Sequence, residues 1–281
     1  MKSQVEKAQL LKVYHEAKEI FVIPNPWDIG SARLLALAGF KALATSSAGY
    51  AFTLGQPDNS VGREQMMLHL ADIVTATDLP VSADLENGFG DAPEEAAETI
   101  RQAAAAGVVG GSIEDATGRA DEPLYPLELA VERVRAAAEA AQALPFPFTL
   151  TARAENYLVG RADLDDTIRR LQAYQEAGAN VLYAPGLKTR EEIATVVRSV
   201  DRPVNALMGL QGALLSVADL AALGVRRVSV GGSLARAALG ALLRAAHEIR
   251  DHGTFTYSGE AVSSKEINDL FTGASQTWGT R

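Results

Sequence analysis

The sequence alternates eight times between a short apolar run and a longer segment with helical periodicity. The apolar runs, which predict strands, cover residues 21–24, 42–45, 80–83, 109–113, 148–152, 180–184, 204–206 and 227–230. The helical segments cover residues 29–38, 63–76, 93–106, 126–143, 164–177, 190–199, 217–223 and 233–252. The runs are apolar throughout, as in parallel strands that are buried on both faces. Eight such units in about 250 residues predict a TIM (β/α)8 barrel.

Signals at the ends of the helical segments agree with this division. Four segments end at a glycine, the usual helix stop, namely Gly39, Gly107, Gly178 and Gly224. Asp91 and Thr189 stand where N-caps are expected, just before two of the segments. An open doubly wound sheet is the alternative fold, but it would place a glycine-rich phosphate turn after the first strand. The turn there reads Asn-Pro-Trp-Asp, so the barrel is favoured.

We expect one domain over residues 1–281, with the barrel at about 20–252 and a C-terminal extension at about 253–281. Residues 1–18 are charged and amphipathic, which predicts a packed helix rather than a signal peptide. Residues 263–271 predict one more helix beyond the barrel. No apolar stretch approaches the roughly 18 residues of a membrane span. The absence of cysteine excludes disulfides, thiolate metal sites and a Cys nucleophile, and it fits a cytoplasmic protein.

The charge balance bears on the partners that the chain can have. Lys and Arg number 26 against 35 Asp and Glu, so the formal net charge is −9. A mildly acidic chain without a basic run is a poor partner for nucleic acid or an anionic membrane. The four histidines fall in predicted helices or at their ends, and we expect surface positions for all of them: His15, His69, His247 and His252.

Polar residues gather where the predicted strands end, which is the catalytic face of a TIM barrel. In chain order they are Ser46, Ser47, Gly49, Asp84, Glu86, Glu114, Asp115, Arg153, Glu155, Asn156 and Asn205. Four of these are carboxylates from two neighbouring strands, and they repel one another unless protons or a cation neutralise them. An oxygen-only set without His or Cys favours Mg²⁺, with Mn²⁺ as the alternative. The competing interpretation is that some of these acids are helix caps or solvated loop charges.

Two further features of this face suit an anionic ligand. Arg153 ends an apolar strand, where a guanidinium can bind a carboxylate through two hydrogen bonds. Its alternative role is an internal ion pair with Glu155 or Glu114. Ser46 and Ser47 offer hydroxyls and backbone N–H groups in a tight turn, which suits an anion, although ordinary turn chemistry would also place them there.

The combined motifs resemble those of the isocitrate lyase and phosphoenolpyruvate mutase superfamily, over about residues 21–250. They are Asn25-Pro26-Trp27-Asp28 with Ser31-Ala32, Thr45-Ser46-Ser47-Ala48-Gly49, Gln56-Pro57-Asp58, Asp84-Leu85-Glu86-Asn87-Gly88-Phe89-Gly90, Ile113-Glu114-Asp115 and Ala152-Arg153. The resemblance implies a TIM barrel, a bound Mg²⁺ and a substrate that contains a 2-oxo or 2-hydroxy carboxylate.

The resemblance also implies residue roles. Asp84 would ligate the metal directly, and three further acids would hold it mainly through its waters. Ser46, the backbone of Ser47 and Arg153 would hold the substrate carboxylate or the developing enolate oxygen. The expected metal ligands are Asp84, Glu86, Glu114 and Asp58; the expected substrate-binding residues are Ser46, Ser47, Asp84, Arg153 and Asn205; and the expected catalytic residues are Arg153, Ser46 and Glu114.

The chain departs from this family at two places. The family usually has Asp-x-Asp where this chain has Asp84-Leu85-Glu86. The loop after Glu114 lacks the Lys-x-Cys-Gly-His element of the isocitrate and methylisocitrate lyases, and also the Lys and Thr-Asn of the phosphonopyruvate enzymes. The general acid is therefore open, with four candidates: Tyr50, Tyr157, Tyr183 and a metal-bound water.

These features predict an Mg²⁺-dependent lyase or decarboxylase that cleaves a C–C bond in a small 2-oxo or 2-hydroxy di- or tricarboxylate through a stabilised enolate. The alternatives are a P–C bond mutase or hydrolase, and a barrel that binds 2-oxo acids with little turnover. Residues 116–125 predict a mobile lid. The Ala- and Leu-rich segment 233–252 predicts a homo-oligomer, a dimer or tetramer, because the resembling family often exchanges this helix between neighbouring subunits.

Overall fold

The computed structural model describes residues 2–209 and 215–273 of the chain. The strands in these ranges are β1 Phe21–Val22, β2 Leu43–Ala44, β3 Val81–Asp84, β4 Gly110–Glu114, β5 Thr149–Arg153, β6 Val181–Tyr183, β7 Val204–Leu207 and β8 Arg227–Ser229. The α-helices are α1 Gln4–Glu16, α2 Ile29–Leu37, α3 Ser47–Thr53, α4 Arg63–Ala76, α5 Pro93–Ala105, α6 Leu127–Gln142, α7 Leu164–Glu176, α8 Arg190–Arg198, α9 Val217–Ala222, α10 Ser233–His252 and α11 Ser264–Thr272.

The strands form a TIM-like barrel, as the sequence predicts. Every strand pair is parallel, and the spatial order is β1-β8-β7-β6-β5-β4-β3-β2. The two end strands meet where the backbone N–H of Ala44 donates to Pro24 O at 3.0 Å. The Asn25 side chain strengthens this seam by donating to Thr45 O at 2.9 Å and accepting from the N–H groups of Val230 and Gly231. A ring of this kind excludes the open doubly wound sheet.

All eight predicted strands are present, with bounds that differ by no more than two residues. The helix α3 was not predicted, because residues 46–49 resemble a turn in sequence. Ser46 caps it by accepting from the Gly49 N–H at 3.1 Å. Gly49 is needed here because a Cβ would lie 2.8 Å from the Trp27 Cβ.

The two predicted N-caps have different outcomes. Thr189 caps α8 in a capping box with Glu192, as expected. The prediction for Asp91 is wrong, since α5 begins after Ala92 without a side-chain cap. Asp91 instead accepts hydrogen bonds from Tyr125 Oη at 2.6 Å and Arg119 Nη1 at 2.8 Å. Pro93 starts α5 without a cap because its missing N–H needs no partner.

The helix α1 packs at the N-terminal end of the barrel, opposite the polar face. His15 on this helix is buried rather than at the surface, as is His69 on α4. The His15 Nδ1–H donates to Leu11 O at 2.8 Å, and Nε2 accepts from Arg227 Nη1 at 3.4 Å. The His69 ring stacks on Tyr50 with centroids 3.8 Å apart. The surface expectation failed for these two because each ring fills an interior site.

The buried His15 predicts a pH-dependent stability. Burial and the nearby charge of Arg227 lower the pKa of His15 to about 3, so the folded protein keeps the ring neutral. The unfolded chain takes up a proton below a pKa of about 6.5, so this contribution to stability is lost as the pH falls. Urea unfolding at pH 7 and pH 5 should show wild type losing about 2 kcal/mol more than His15→Gln. An equal loss in both proteins would contradict the assignment.

The C-terminal helices differ in how they pack. The helix α11 lies against α2, with Leu270 buried and Phe271 beside Gly30. The helix α10 has 20 residues, yet among its side chains only Ala235 is buried. Leu242 and Leu243 are 63% and 57% exposed. None of the helices in the described ranges has the length and apolar character needed to cross a membrane.

Candidate functional site

A cavity of about 880 Å³ opens at the C-terminal ends of the strands and reaches down into the barrel. Its polar lining includes Ser46, Ser47, Asp58, Asp84, Glu86, Glu114, Arg153, Glu155, Tyr183, Arg227 and Ser229. Asp84, Glu114 and Arg153 are the last residues of β3, β4 and β5. Parallel strands end at one edge, so these three side chains meet although they are far apart in sequence.

Arg153 is the centre of this cluster and pairs with three carboxylates at once. Its Nη1 lies 2.9 Å from Asp84 Oδ1, its Nη2 lies 3.0 Å from Glu114 Oε2, and its Nε lies 2.8 Å from Glu155 Oε1. The Tyr183 ring lies 5.2 Å from the guanidinium carbon. A guanidinium has five N–H donors, so two remain for a ligand. The internal ion pairs that were the alternative role for Arg153 are therefore present.

Asp84 is held from its other side by the segment after β2. The Ser47 hydroxyl donates to Asp84 Oδ2 at 2.9 Å, and the Ser47 N–H donates to the same oxygen at 3.2 Å. The Ser47 hydroxyl also lies 3.4 Å from Asp58 Oδ1. Ser46 accepts from Gly49 N–H and retains its own proton to donate into the cavity. The structure thus brings the predicted residues of strands 2 to 5 together.

The site holds more negative charge than Arg153 can balance. Burial, and then the charges of Asp84 and Asp58, raise the pKa of Glu86 to about 8. Burial also raises the pKa of Glu114 well above its usual range, despite the opposing charge of Arg153. The pKa of Asp58 is raised by burial and by Asp84. Burial is the largest cause of all three shifts, and repulsion from the neighbouring carboxylates adds to it.

Glu86 is presented by a strained loop. It has a positive φ of 48°, and Phe89 three residues on has a φ of 58°. Such conformations cost about 1–3 kcal/mol each and persist only where the surroundings enforce them. Arg133 on α6 enforces them here by donating to the carbonyl oxygens of Asn87, Gly90 and Asp91. No described residue donates a hydrogen bond to the Glu86 carboxylate, which faces the cavity.

The donor set fits a hard divalent cation. All of the predicted ligands are carboxylates, which Mg²⁺ prefers. The surplus negative charge of the site also favours binding of a cation. Among residues 2–209 and 215–273, no three acidic or histidine side chains already surround a common point as a metal site requires. The reason is local, since Arg153 and Ser47 engage both oxygens of Asp84. Metal binding would therefore draw an Asp84 oxygen away from one of these donors.

The structure places Asn205 away from the cavity lining. Its Oδ1 accepts from Arg227 Nε at 2.8 Å, and its Nδ2 donates to Ser229 Oγ at 2.9 Å.

Sequence reasoning gave no role to Arg227, although a charged residue inside a predicted buried strand was a signal that could have identified it. The sequence placed Glu155 at the catalytic face and as an ion-pair partner of Arg153, but assigned it no role toward a ligand.

The three tyrosines considered as general acids lie in different surroundings. Tyr183 lines the cavity beside Arg153. Tyr157 donates to Glu192 Oε1 at 3.0 Å, and Tyr50 stacks on His69, and neither lines the cavity. Tyr183 is therefore the candidate that the geometry favours. Burial raises the pKa of Tyr183 well above its usual range, so it keeps its proton near neutral pH.

Residues 116–125 join β4 to α6, and residues 116–120 and Pro123 of this segment line the cavity. An antiparallel bridge joins Ala116 to Leu124 at the base of this segment. Arg119 pairs with Asp91 at 2.8 Å and with Glu122 at 3.3 Å. Tyr125 donates to the same Asp91. Asp91 thus anchors the segment to the loop after β3.

We expect this segment to act as a lid that closes over a ligand. Hydrogen exchange at residues 116–125 should slow when Mg²⁺ and oxalate are added to wild type, because lids of this kind sequester the site from water. Asp91→Ala should speed exchange there in the free protein, since both anchoring contacts are lost. Asp121→Ala, in the same segment, is the matched control. Unchanged exchange on addition of ligand would remove the lid role.

Comparison with known proteins gives this geometry a context. The chain is similar to a putative lyase/mutase of Burkholderia cenocepacia, with 64% identity, a TM-score of 0.95 and 98% coverage of both chains. It is similar to the 2-methylisocitrate lyase of Halalkalibacterium halodurans, with 30% identity over 90% of this chain and 85% of that protein. It also resembles a phosphonopyruvate hydrolase solved with oxalate and Mg²⁺, with 27% identity, a TM-score of 0.84 and 95% coverage of both chains.

A family model extends these similarities to most of the chain. Residues 10–250 match the model described as phosphoenolpyruvate phosphomutase. That span contains all eight strands and every residue of the site described above. The chain therefore belongs to the phosphoenolpyruvate phosphomutase family, within the isocitrate lyase and phosphoenolpyruvate mutase superfamily that its motifs resemble.

Proposed function

We propose that this protein is a divalent-metal-dependent carbon–carbon lyase, whose substrate is a small 2-oxo or 2-hydroxy di- or tricarboxylate. The observation that carries the proposal is the crowding of Asp84, Glu114 and Glu155 around Arg153, beside the carboxylate of Glu86. Such a site can hold a cation and an anionic substrate side by side. The similarity to a 2-methylisocitrate lyase supports the C–C bond as the target.

The residues of the site divide this work among them. Arg153 keeps two N–H donors for the carboxylate of the substrate, while Glu114 and Glu155 fix its orientation. The Ser46 hydroxyl faces the same cavity and can donate to a ligand oxygen. When bound, Mg²⁺ or Mn²⁺ supplies positive charge where an enolate develops. Hydrogen-bond donors that are already oriented need no rearrangement as negative charge develops on the enolate.

In this proposal Tyr183 is the proton donor. Its ring lies against Arg153 and lines the cavity, so its hydroxyl belongs to the same pocket as the substrate. The raised pKa keeps the phenol protonated near neutral pH. Tyr183 can then give a proton to the carbanion left after bond cleavage, and the proton that a substrate hydroxyl loses as it becomes a carbonyl can return to the Tyr183 oxygen. The lid excludes bulk water from this step.

A metal-dependent screen of substrates tests the proposal. Purified protein is incubated with isocitrate, 2-methylisocitrate, oxaloacetate, 2,3-dimethylmalate and phosphonopyruvate, with Mg²⁺ or with a chelator, and products are identified by mass spectrometry. Release of a 2-oxo acid that depends on Mg²⁺ supports the lyase. Turnover of phosphonopyruvate alone would favour P–C chemistry instead. Binding of oxalate without any turnover would favour a binding protein.

We also propose that the protein forms an oligomer, because α10 has an exposed apolar face. A 20-residue helix with one buried side chain and exposed Leu239, Leu242 and Leu243 leaves most of its length unpacked on its own barrel. We expect a second copy to cover it in a dimer or tetramer. Leu242→Asp combined with Leu243→Asp should give a monomer by light scattering at micromolar concentration. The double change Lys265→Asp and Glu266→Lys on α11 is the control, and a monomeric wild type would contradict the expectation.

A further inference from the structure

The inner end of the cavity holds a buried arginine that the proposed chemistry does not use. Arg227 begins β8, is 5% exposed and lines the cavity. Its Nε donates to Asn205 Oδ1 at 2.8 Å, and its Nη1 lies 3.4 Å from the Nε2 of the neutral His15 ring. Asn205 is fixed in turn by Ser229. The guanidinium is therefore held in place by uncharged groups.

Arg227 has no counter-charge in the described part of the chain. No carboxylate there pairs with it, and its Nη2 donates to none of the described residues. Burial and the like charge of Arg153 lower the pKa of Arg227 to about 10, so it remains protonated near neutral pH. A buried charge is costly unless it is paired. The unmatched cation and its free donor both face a cavity, which is where a ligand would supply the partner.

The surroundings of Arg227 suit a carboxylate rather than a second cation. Tyr183 and Ser229 line the same end of the cavity, and their hydroxyls are hydrogen-bonded to each other. The acids of the site cluster around Arg153, and none of them acts on Arg227. The cavity is thus negative where a metal would bind and positive at depth. A ligand that fits both ends carries one carboxylate for Arg153 and another for Arg227.

A structural role alone explains Arg227 poorly. Its contact with α1 is a single 3.4 Å approach to a neutral ring, which does not offset the burial of a charge. An apolar side chain at the start of β8 would pack α1 against the barrel without that penalty. The combination of Asn205, Ser229 and His15 around Arg227 instead leaves one edge of the guanidinium open to the cavity.

We propose that Arg227 binds a second carboxylate of the substrate at the inner end of the cavity, and so selects dicarboxylates over monocarboxylates of the same length. This inference rests on the proposed function, because it assumes that the first carboxylate lies near Arg153. It adds that Asn205 is a positioning residue that acts through Arg227.

Ligands that differ in a single carboxylate test the Arg153 end and the Arg227 end of the cavity separately. Binding is measured by calorimetry with Mg²⁺ for oxalate, 2-oxoglutarate and 2-oxopentanoate, the last two differing only in the terminal carboxylate. Oxaloacetate and 2-oxobutanoate repeat the comparison with one carbon fewer. Oxalate reports on the Arg153 end alone. Wild type should bind the dicarboxylate of each pair at least about tenfold more tightly, the value of one charge-assisted hydrogen bond.

Two variants cancel the positive charge at the Arg227 end of the cavity in different ways. Arg227→Gln deletes it while retaining a donor for Asn205, and Asn205→Asp keeps the arginine but supplies an internal counter-charge. Both should bind the two members of each pair within about twofold and bind oxalate as wild type does. His15→Gln is the control, since it changes the other contact of Arg227 without changing a charge, and it should retain the dicarboxylate preference.

The outcomes distinguish this inference from the proposed function. Failure of wild type to bind oxalate with Mg²⁺ would overturn the proposed function. Oxalate binding without a dicarboxylate preference, or a preference that Arg227→Gln retains, would overturn the role of Arg227 alone. Loss of oxalate binding in a folded Arg227→Gln protein would show that Arg227 supports the whole barrel interior, and would also overturn it.

Discussion

Asp84→Asn should abolish binding of Mg²⁺ and all metal-dependent turnover. Asp84 is the expected direct ligand, and it stands at the end of β3 with both oxygens engaged by polar donors. An amide of the same size removes the charge and one acceptor oxygen. Loss of a residue that hydrogen-bonds to a metal ligand typically lowers metal affinity or activity about 10–100-fold. Loss of a direct ligand should therefore lower both by more.

Calorimetry with Mg²⁺ and a chelator-controlled assay measure this effect. Asp72→Asn is the matched control, because it makes the same chemical change on the exposed side of α4. Circular dichroism checks that both variants fold. Binding of Mg²⁺ to Asp84→Asn with the affinity of wild type would show that the metal is held elsewhere.

Arg153→Lys should be nearly as damaging as Arg153→Ala. Arg153 orients three carboxylates through three different nitrogens, and a lysine has one nitrogen on a flexible stem. The lysine retains the charge but cannot hold Glu114, Glu155 and a ligand at once. Each lost charge-assisted hydrogen bond to the ligand is worth roughly 1.5–3 kcal/mol, so oxalate affinity should fall at least about tenfold in both variants.

Oxalate binding in the presence of Mg²⁺ is the direct measurement. Arg101→Lys on α5 serves as the control, because Arg101 makes an exposed pair with Glu98 and such pairs contribute little. Near-normal affinity in Arg153→Lys alone would show that the positive charge suffices and that the fork geometry is dispensable. That result would assign Arg153 to charge balance rather than to ligand recognition.

Several parts of this structure are readable from the sequence because they depend on local pattern and chain order. Apolar runs that alternate with helical segments define parallel strands, and the last residue of each strand must lie at one edge of the barrel. Asp84, Glu114 and Arg153 could therefore be placed together from their sequence positions. Their excess of carboxylates over cations was also evident, and it is what points to a metal.

Tertiary structure alone decided how deep each inward side chain lies and what it meets there. Asn205 and Arg227 are neighbours across β7 and β8, but the stagger of the barrel, which no local pattern encodes, places the amide behind the guanidinium. Asp91 resembles a helix cap in sequence, yet Arg119 and Tyr125 reach it from a distant loop. The sequence by itself determined the barrel and its acidic face. Long-range packing decided the pairing of each charge, because pairing depends on atoms that approach only when the ring closes.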